Sequence, residues 1–258
     1  SRGLGDVYKR QLLDRVASGI ELTESGQRLY DYANTVLSEY DKLKKEIDMI
    51  RASEEGTVEL LVAYDILRYL TPDCILEFQK KYPNVTFSYM EYPDRIVEKM
   101  LLDKEGNVAL SIGPFAGDCF DMKSLKKCSL GLLVYEEHSL AKKREATILD
   151  LEGEPLYLEN SSFKLNEFIQ SRCWNRGFEP DIVFETNGFD LCYKMCRLKR
   201  GISVTIDFVH EDMNTEGLVM IPFAEDDMIW EIGLLTLKDR AMESSVEKFY
   251  KYIENYNS

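Results

Sequence analysis

The chain has 258 residues, 45% of them hydrophobic and 30% charged, with a formal net charge of −14. That balance suits an ordinary globular protein of one large or two small domains, and no apolar run reaches the roughly 18 residues of a membrane span. The acidic excess argues against a broad DNA-gripping face. Six cysteines without a CxxC pair, beside only two histidines, point to scattered buried thiols in a reducing, cytoplasmic setting and to no metal site.

Residues 1–11, SRGLGDVYKRQ, back-translate into a string resembling a sequencing-library adapter read in frame. They are expected to be a cloning or assembly scar, with natural sequence starting near Leu12 and its true beginning missing; the alternative is a genuine basic arm. From Leu22 a seven-residue rhythm takes over: Leu22, Gly26, Leu29, Ala33, Val36, Tyr40, Leu43, Ile47 and Ile50 recur at spacings of four and three, with charged or polar residues between. This is an a/d seam that asks for a partner helix; the alternative is a stripe packed on its own domain. Thr23 and Ser25 offer capping oxygens at its start, and Gly56 stops it.

Beyond Gly56, strands and helices alternate. Thr57–Ala63, Val85–Met90 and Val108–Ile112 read as strands, with helices over Leu70–Tyr82 and Arg95–Leu102. A long apolar strand, Leu130–Tyr135, follows. A second series then begins: strand Leu156–Glu159, helix Phe163–Arg176, strand Asp181–Glu185, helix Phe189–Leu198 and strand Gly201–Thr205. Met228–Leu237 reads as a strand and Met242–Tyr256 as a closing amphipathic helix. Two such series joined by crossing strands predict an α/β protein of two lobes with a cleft, and ligands in such sheets sit beyond the carboxyl ends of the strands.

The strand ends therefore give the candidate ligand contacts: Tyr64, Asp65, Ile66 and Leu67 after the first strand, and Gly113, Pro114 and Phe115 after the third. On the second lobe they are Asn160, Ser161 and Ser162, then Thr186 and Asn187, then Thr205. Ser161 and Ser162 suit an anion at a helix N-terminus or, equally simply, an N-cap for the helix from Phe163. Tyr64, Phe115 and Phe163 can be cleft walls or core. These loops carry Asp65, Glu159 and Glu185 against Arg68 and Lys164, which does not favour a strongly anionic ligand. The nucleophile elbow, GxGxxG, P-loop and HExxH motifs are absent, so no enzyme chemistry is indicated.

Several stretches together resemble LysR-type transcriptional regulators. Leu13-Asp14-Arg15 through Gly19-Ile20-Glu21-Leu22-Thr23-Glu24-Ser25-Gly26 is similar to that family's wing and helix start, with Leu13 for the usual phenylalanine and Ser25 for the usual alanine. Leu70-Thr71-Pro72, Phe78-x3-Tyr82-Pro83, His138-Ser139-Leu140-Ala141 (serine for proline) and Arg200-Gly201-Ile202-Ser203-Val204 resemble effector-domain segments in the same order. Asn107 departs from the aspartate usual before the third strand. The resemblance covers residues 12–258. It implies a bacterial regulator that senses a small molecule in a two-lobed, periplasmic-binding-protein-like (type 2) effector domain, and that reads DNA through a helix–turn–helix lying ahead of Leu12. The implied division is 12–22 for the winged-helix remnant, 23–55 for a dimerising linker helix and 56–258 for the effector domain. Lobe I is then about 56–132 and 226–258, and lobe II about 133–225. The partners implied are a small-molecule effector, DNA only for the full-length protein, and a second copy in a homodimer or homotetramer through Leu29, Ala33, Val36, Tyr40, Leu43, Ile47 and Ile50. No cofactor, metal or membrane is implied. Arg15, on the wing, is a candidate DNA-backbone contact or a plain surface arginine. The other classes open to such a fold are a transport system's solute-binding protein and, less readily, an enzyme.

Overall fold

The computed structural model describes residues 12–16, 19–53, 56–115 and 118–256. The proposed scar, 1–11, lies outside them. Two compact units divide the chain near Glu54.

The first unit opens with an antiparallel pair, β1 (Leu13–Val16) and β2 (Gly19–Leu22), followed by the 30-residue helix α1 (Glu24–Ser53). The Thr23 hydroxyl accepts from the Gly26 amide at 2.9 Å, the expected N-cap. Gly26, the one non-apolar seam position, is buried, and a Cβ there would collide with the Leu12 carbonyl. Further along, Leu29, Ala33, Val36, Tyr40 and Leu43 are all exposed, so the stripe is not covered within its own unit among the described residues. Tyr30 and Leu37, also exposed, widen it beyond a strict a/d seam. The side chains of Arg15, Ile47 and Ile50 lie outside the described ones.

In the second unit, β3 (Thr57–Ala63) lies between parallel neighbours β4 (Thr86–Tyr92) and β5 (Val108–Ile112). Val58, Leu60, Leu61 and Val62 are wholly buried, as a strand covered on both faces requires. Its helices are α2 (Ile66–Lys81), α3 (Asp94–Leu102) and the closing α7 (Ser244–Tyr256), with Phe78 of α2 edge-on to Phe249 of α7 at 5.0 Å. Helix α2 starts earlier than its periodicity predicts because it is two pieces: Thr71, at φ 60°, breaks it before Pro72.

The largest departure from the sequence reading is β6, which runs from Phe120 to Tyr135 rather than from Leu130. Its first half is exposed on both faces (Asp121, Met122, Lys123 and Ser124) and mostly polar, so it carries no continuous apolar signal. That half pairs with β11 (Ile229–Leu237), and its second half pairs with β9 (Ile202–Ile206) and with β10 (Leu218–Pro222), a strand the sequence reading missed. The second lobe completes itself with β7 (Pro155–Glu159) parallel to both β9 and β8 (Asp181–Thr186). Its helices are α4 (Lys164–Asn175), α5 (Phe189–Arg197) and the short α6 (Asp207–Asp212). From β5 through β11 and β6 to β9 every step is antiparallel. The two parallel sets therefore run in opposite senses, and their carboxyl ends face each other.

Candidate functional site

Four strands end at one place. Ala63, Ile112, Glu159 and Ile206 are the last residues of β3, β5, β7 and β9, and all four line a narrow cavity of about 20 Å³. Around them stand Tyr64, Asp65, Asp94, Phe163, Leu165, Phe189, Phe208 and Trp230. The residues come from both lobes because both sets of carboxyl ends face inward. The Tyr64 and Phe163 rings meet across the cleft with centroids 6.1 Å apart.

Five helices begin beside these strand ends, and helix N-termini attract negative charge. The chain supplies that charge itself. Asp94 is the first residue of α3, and its Oδ1 accepts from the Arg95 amide at 2.6 Å and from the Lys164 amide of α4 at 3.0 Å. One carboxylate thus caps helices of both lobes. Asp207 receives the Phe208 amide at the start of α6 (2.6 Å) and the Ser129 amide (2.8 Å), while Asp190 stands in the first turn of α5. Asp65 precedes α2 in the left-handed region at φ 68°, a strained position for a residue other than glycine.

The cations near the cleft are also engaged. Arg68 bonds Asp65 at 2.5 Å and reaches across to Asp212 (2.6 Å) and Asp190 (3.1 Å). Lys164 Nζ pairs with Glu98, donates to the Ile112 carbonyl at 2.8 Å and lies 4.7 Å from the Phe115 ring centre. Ser111 Oγ donates to the same Glu98 oxygen at 3.1 Å. Both ion pairs tie one lobe to the other, as does Arg95 with Glu167.

Glu159 has no such partner. It is 4% exposed and lines the cavity, and no hydrogen bond or ion pair reaches its carboxylate among the described residues. Burial, with repulsion from Asp65 and Asp94, pushes its pKa well above the ordinary glutamate value. Burial likewise pushes Asp94 up to about 6, against the attraction of Lys164, and raises Asp65. Trp230 Nε1, also at this cavity, is a buried donor without a partner among the described residues.

The sequence-derived candidates divide. Tyr64 and Asp65 line the cavity; Leu67 and Asn187 line an open groove beside it, together with Arg68. Asn160 bonds Asn187 and receives the Ser162 amide at 2.8 Å, holding the two loops together. Ile66 and Thr205 are core: Ile66 is wholly buried, and the Thr205 hydroxyl is bonded to Tyr193 at 2.9 Å. Gly113 is buried against the Phe115 ring, and Pro114 borders a separate groove with Lys164 and Phe120. Ser161 is exposed, and neither it nor Ser162 caps α4, since Asp94 occupies that position. Thr186 turns its hydroxyl to the Gly188 carbonyl at 3.3 Å. Asp94 went unread, although the Tyr92-Pro93 break puts it just past a strand end, the signal used for the other lips.

Paired α/β lobes joined by crossing strands, with an aromatic, acid-bearing cavity between opposed strand ends, define a two-lobed, periplasmic-binding-protein-like (type 2) ligand-binding domain. Residues 51–257 match the family model described as the LysR substrate binding domain, and the chain belongs to that family. Among curated relatives, it is 25% identical over 185 residues to the uncharacterized HTH-type transcriptional regulator YwbI of Bacillus subtilis (strain 168), covering 72% of this chain. It spans 62% of that relative's length. It is 23% identical over 249 residues to the transcriptional dual regulator GltC of the same organism, covering 96% of this chain and 83% of GltC. Among solved structures, the effector binding domain of QuiR in complex with shikimate superposes with a TM-score of 0.67 at 18% identity, over 79% of this chain and 97% of that one.

Proposed function

We propose that the protein is a DNA-binding transcriptional regulator whose two-lobed domain senses a small molecule in the cleft. The observation that carries this reading is the cavity itself: residues of both lobes close on it, and the Glu159 carboxylate and the buried Trp230 Nε1 donor at its wall have no partner among the described residues. A group left unsatisfied in a folded interior costs stability, and such costs persist where a ligand meets them. Closure on a ligand changes the balance between lobe positions only by the ligand's differential affinity for the closed form. The relatives' regulator names support the DNA-binding part of the reading. A thermal-shift screen of metabolites tests the sensing: a ligand at 100 times its Kd adds about 2.7 kcal/mol. Tyr64→Ala, at a half-exposed lip residue, should weaken any hit at least tenfold with the fold unchanged. Equal affinity would place the site elsewhere. Gel shifts of the gene's full-length product, at physiological salt, test the DNA binding on the gene's own upstream region.

The wide apolar stripe on α1 further supports assembly through this helix, as a homodimer or homotetramer. Val36 and Leu43, seven residues apart, are each about half exposed (50% and 54%) in the chain alone. Val36→Lys with Leu43→Lys should therefore leave the fold intact and give monomers by light scattering; an unchanged mass would refute the helix as the interface.

A further inference from the structure

We propose that the cleft takes a small organic cation, an ammonium or amidinium head on an apolar body, with Glu159 as its counter-ion. The inference rests on the cavity being the effector site and concerns the chemistry of what enters it. Its charged lining is Asp65, Asp94 and Glu159, and no lysine, arginine or histidine lines it among the described residues. The dipoles of the surrounding helix starts do not leave an anion site, because the chain's own Asp94, Asp190 and Asp207 stand at those termini. Arg68 and Lys164 are turned to Asp65, Asp190, Asp212 and Glu98. Of the three lining acids, Asp65 is paired with Arg68 and Asp94 is bonded to two backbone amides, so Glu159, the most deeply placed, is the one without a partner among the described residues.

The remaining wall fits the same guest. Tyr64, Phe163, Phe189, Phe208 and Trp230 bring five aromatic rings to a space small enough to exclude a large ligand. Ring faces are negative and attract cations, most strongly where water is excluded. A bare carboxylate buried among them is costly, and a charged donor that bonds it removes that cost. An anionic guest would be set against the same three acids with no cation in the lining to meet it.

The test is a thermal-shift and calorimetry series on the whole chain with a metabolite library sorted by charge. It includes matched probes of one shape: benzylamine and benzamidine, then benzyl alcohol and benzamide, then benzoate. Cations are expected to stabilise the protein, and Glu159→Gln, which keeps the side chain's shape, to weaken them at least tenfold while remaining folded by circular dichroism. If neutral or anionic compounds are the ones that bind, and Tyr64→Ala weakens them, the cleft is an effector site but the cation assignment is wrong. Cations that bind Glu159→Gln as tightly as the parent overturn it equally. If no class binds, the sensing function itself fails and the assignment falls with it.

Discussion

Lys164→Met should lower the stability of the chain by about 3–5 kcal/mol, because it removes one partner of a buried charge pair and leaves the other uncompensated. Lys164 and Glu98 are 9% and 8% exposed. With the lysine gone, Glu98 keeps only the Ser111 hydroxyl, and the Ile112 carbonyl at the end of β5 loses its donor. For a domain near 200 residues this corresponds to a fall in melting temperature of roughly 6–20 °C. The double variant Lys164→Met, Glu98→Leu should recover most of the loss, since an apolar pair of similar volume matches a buried ion pair in stability. Thermal and urea melts of the three variants decide it. A single variant within about 0.5 kcal/mol of the parent would mean that water reaches this pair and that the lobes are not held together here.

Glu159→Gln should have the opposite sign. In the empty protein the Glu159 carboxyl binds its proton more tightly folded than unfolded, because burial and the Asp65 and Asp94 charges oppose ionisation. Between the ordinary glutamate pKa of 4.5 and the raised folded value, the folded state holds a proton the unfolded state has released. Stability therefore falls as pH rises through that window. Glutamine has no proton to lose, so the variant escapes this fall. It should be more stable than the parent at pH 7.5 by about 1–3 kcal/mol, the usual cost of a buried unsatisfied group. The difference should close as pH approaches 4.5. Asp65 and Asp94, both raised, slope the same way in both proteins, so the difference between the two curves isolates Glu159. Parallel curves from pH 4.5 to 7.5 would show that Glu159 is solvated or has a partner in solution.

Much of this arrangement was legible beforehand. Apolar runs such as 57–63 and 108–112 declare strands buried on both faces, and the strand-end rule led to Tyr64 and Asp65 at the cavity. The same rule led to Ile66 and Thr205, which point into the core. Periodicity says where a strand stops, but which neighbour's side chain enters the space beyond it depends on packing. The serines before α4 read as its cap, yet the cap comes from Asp94, 70 residues earlier. No local pattern encodes a partner that only the meeting of two lobes supplies. The half-polar start of β6 was invisible for a related reason: its strand state is imposed by pairing with β11.

By itself, then, the sequence determined the α/β class, the two repeated series, the long helix with its apolar stripe and the acidic surplus at the cleft. These are properties of composition and period, and they survive without knowing any contact. The tertiary structure decided which charges cancel. Arg68 and Lys164 stand near the same acids in the chain, and only the closed fold shows that each is taken by a carboxylate across the cleft, leaving Glu159 without a partner among the described residues. Electrostatic pairing depends on distances of a few ångströms between residues far apart in sequence, and that information exists only once the lobes have met.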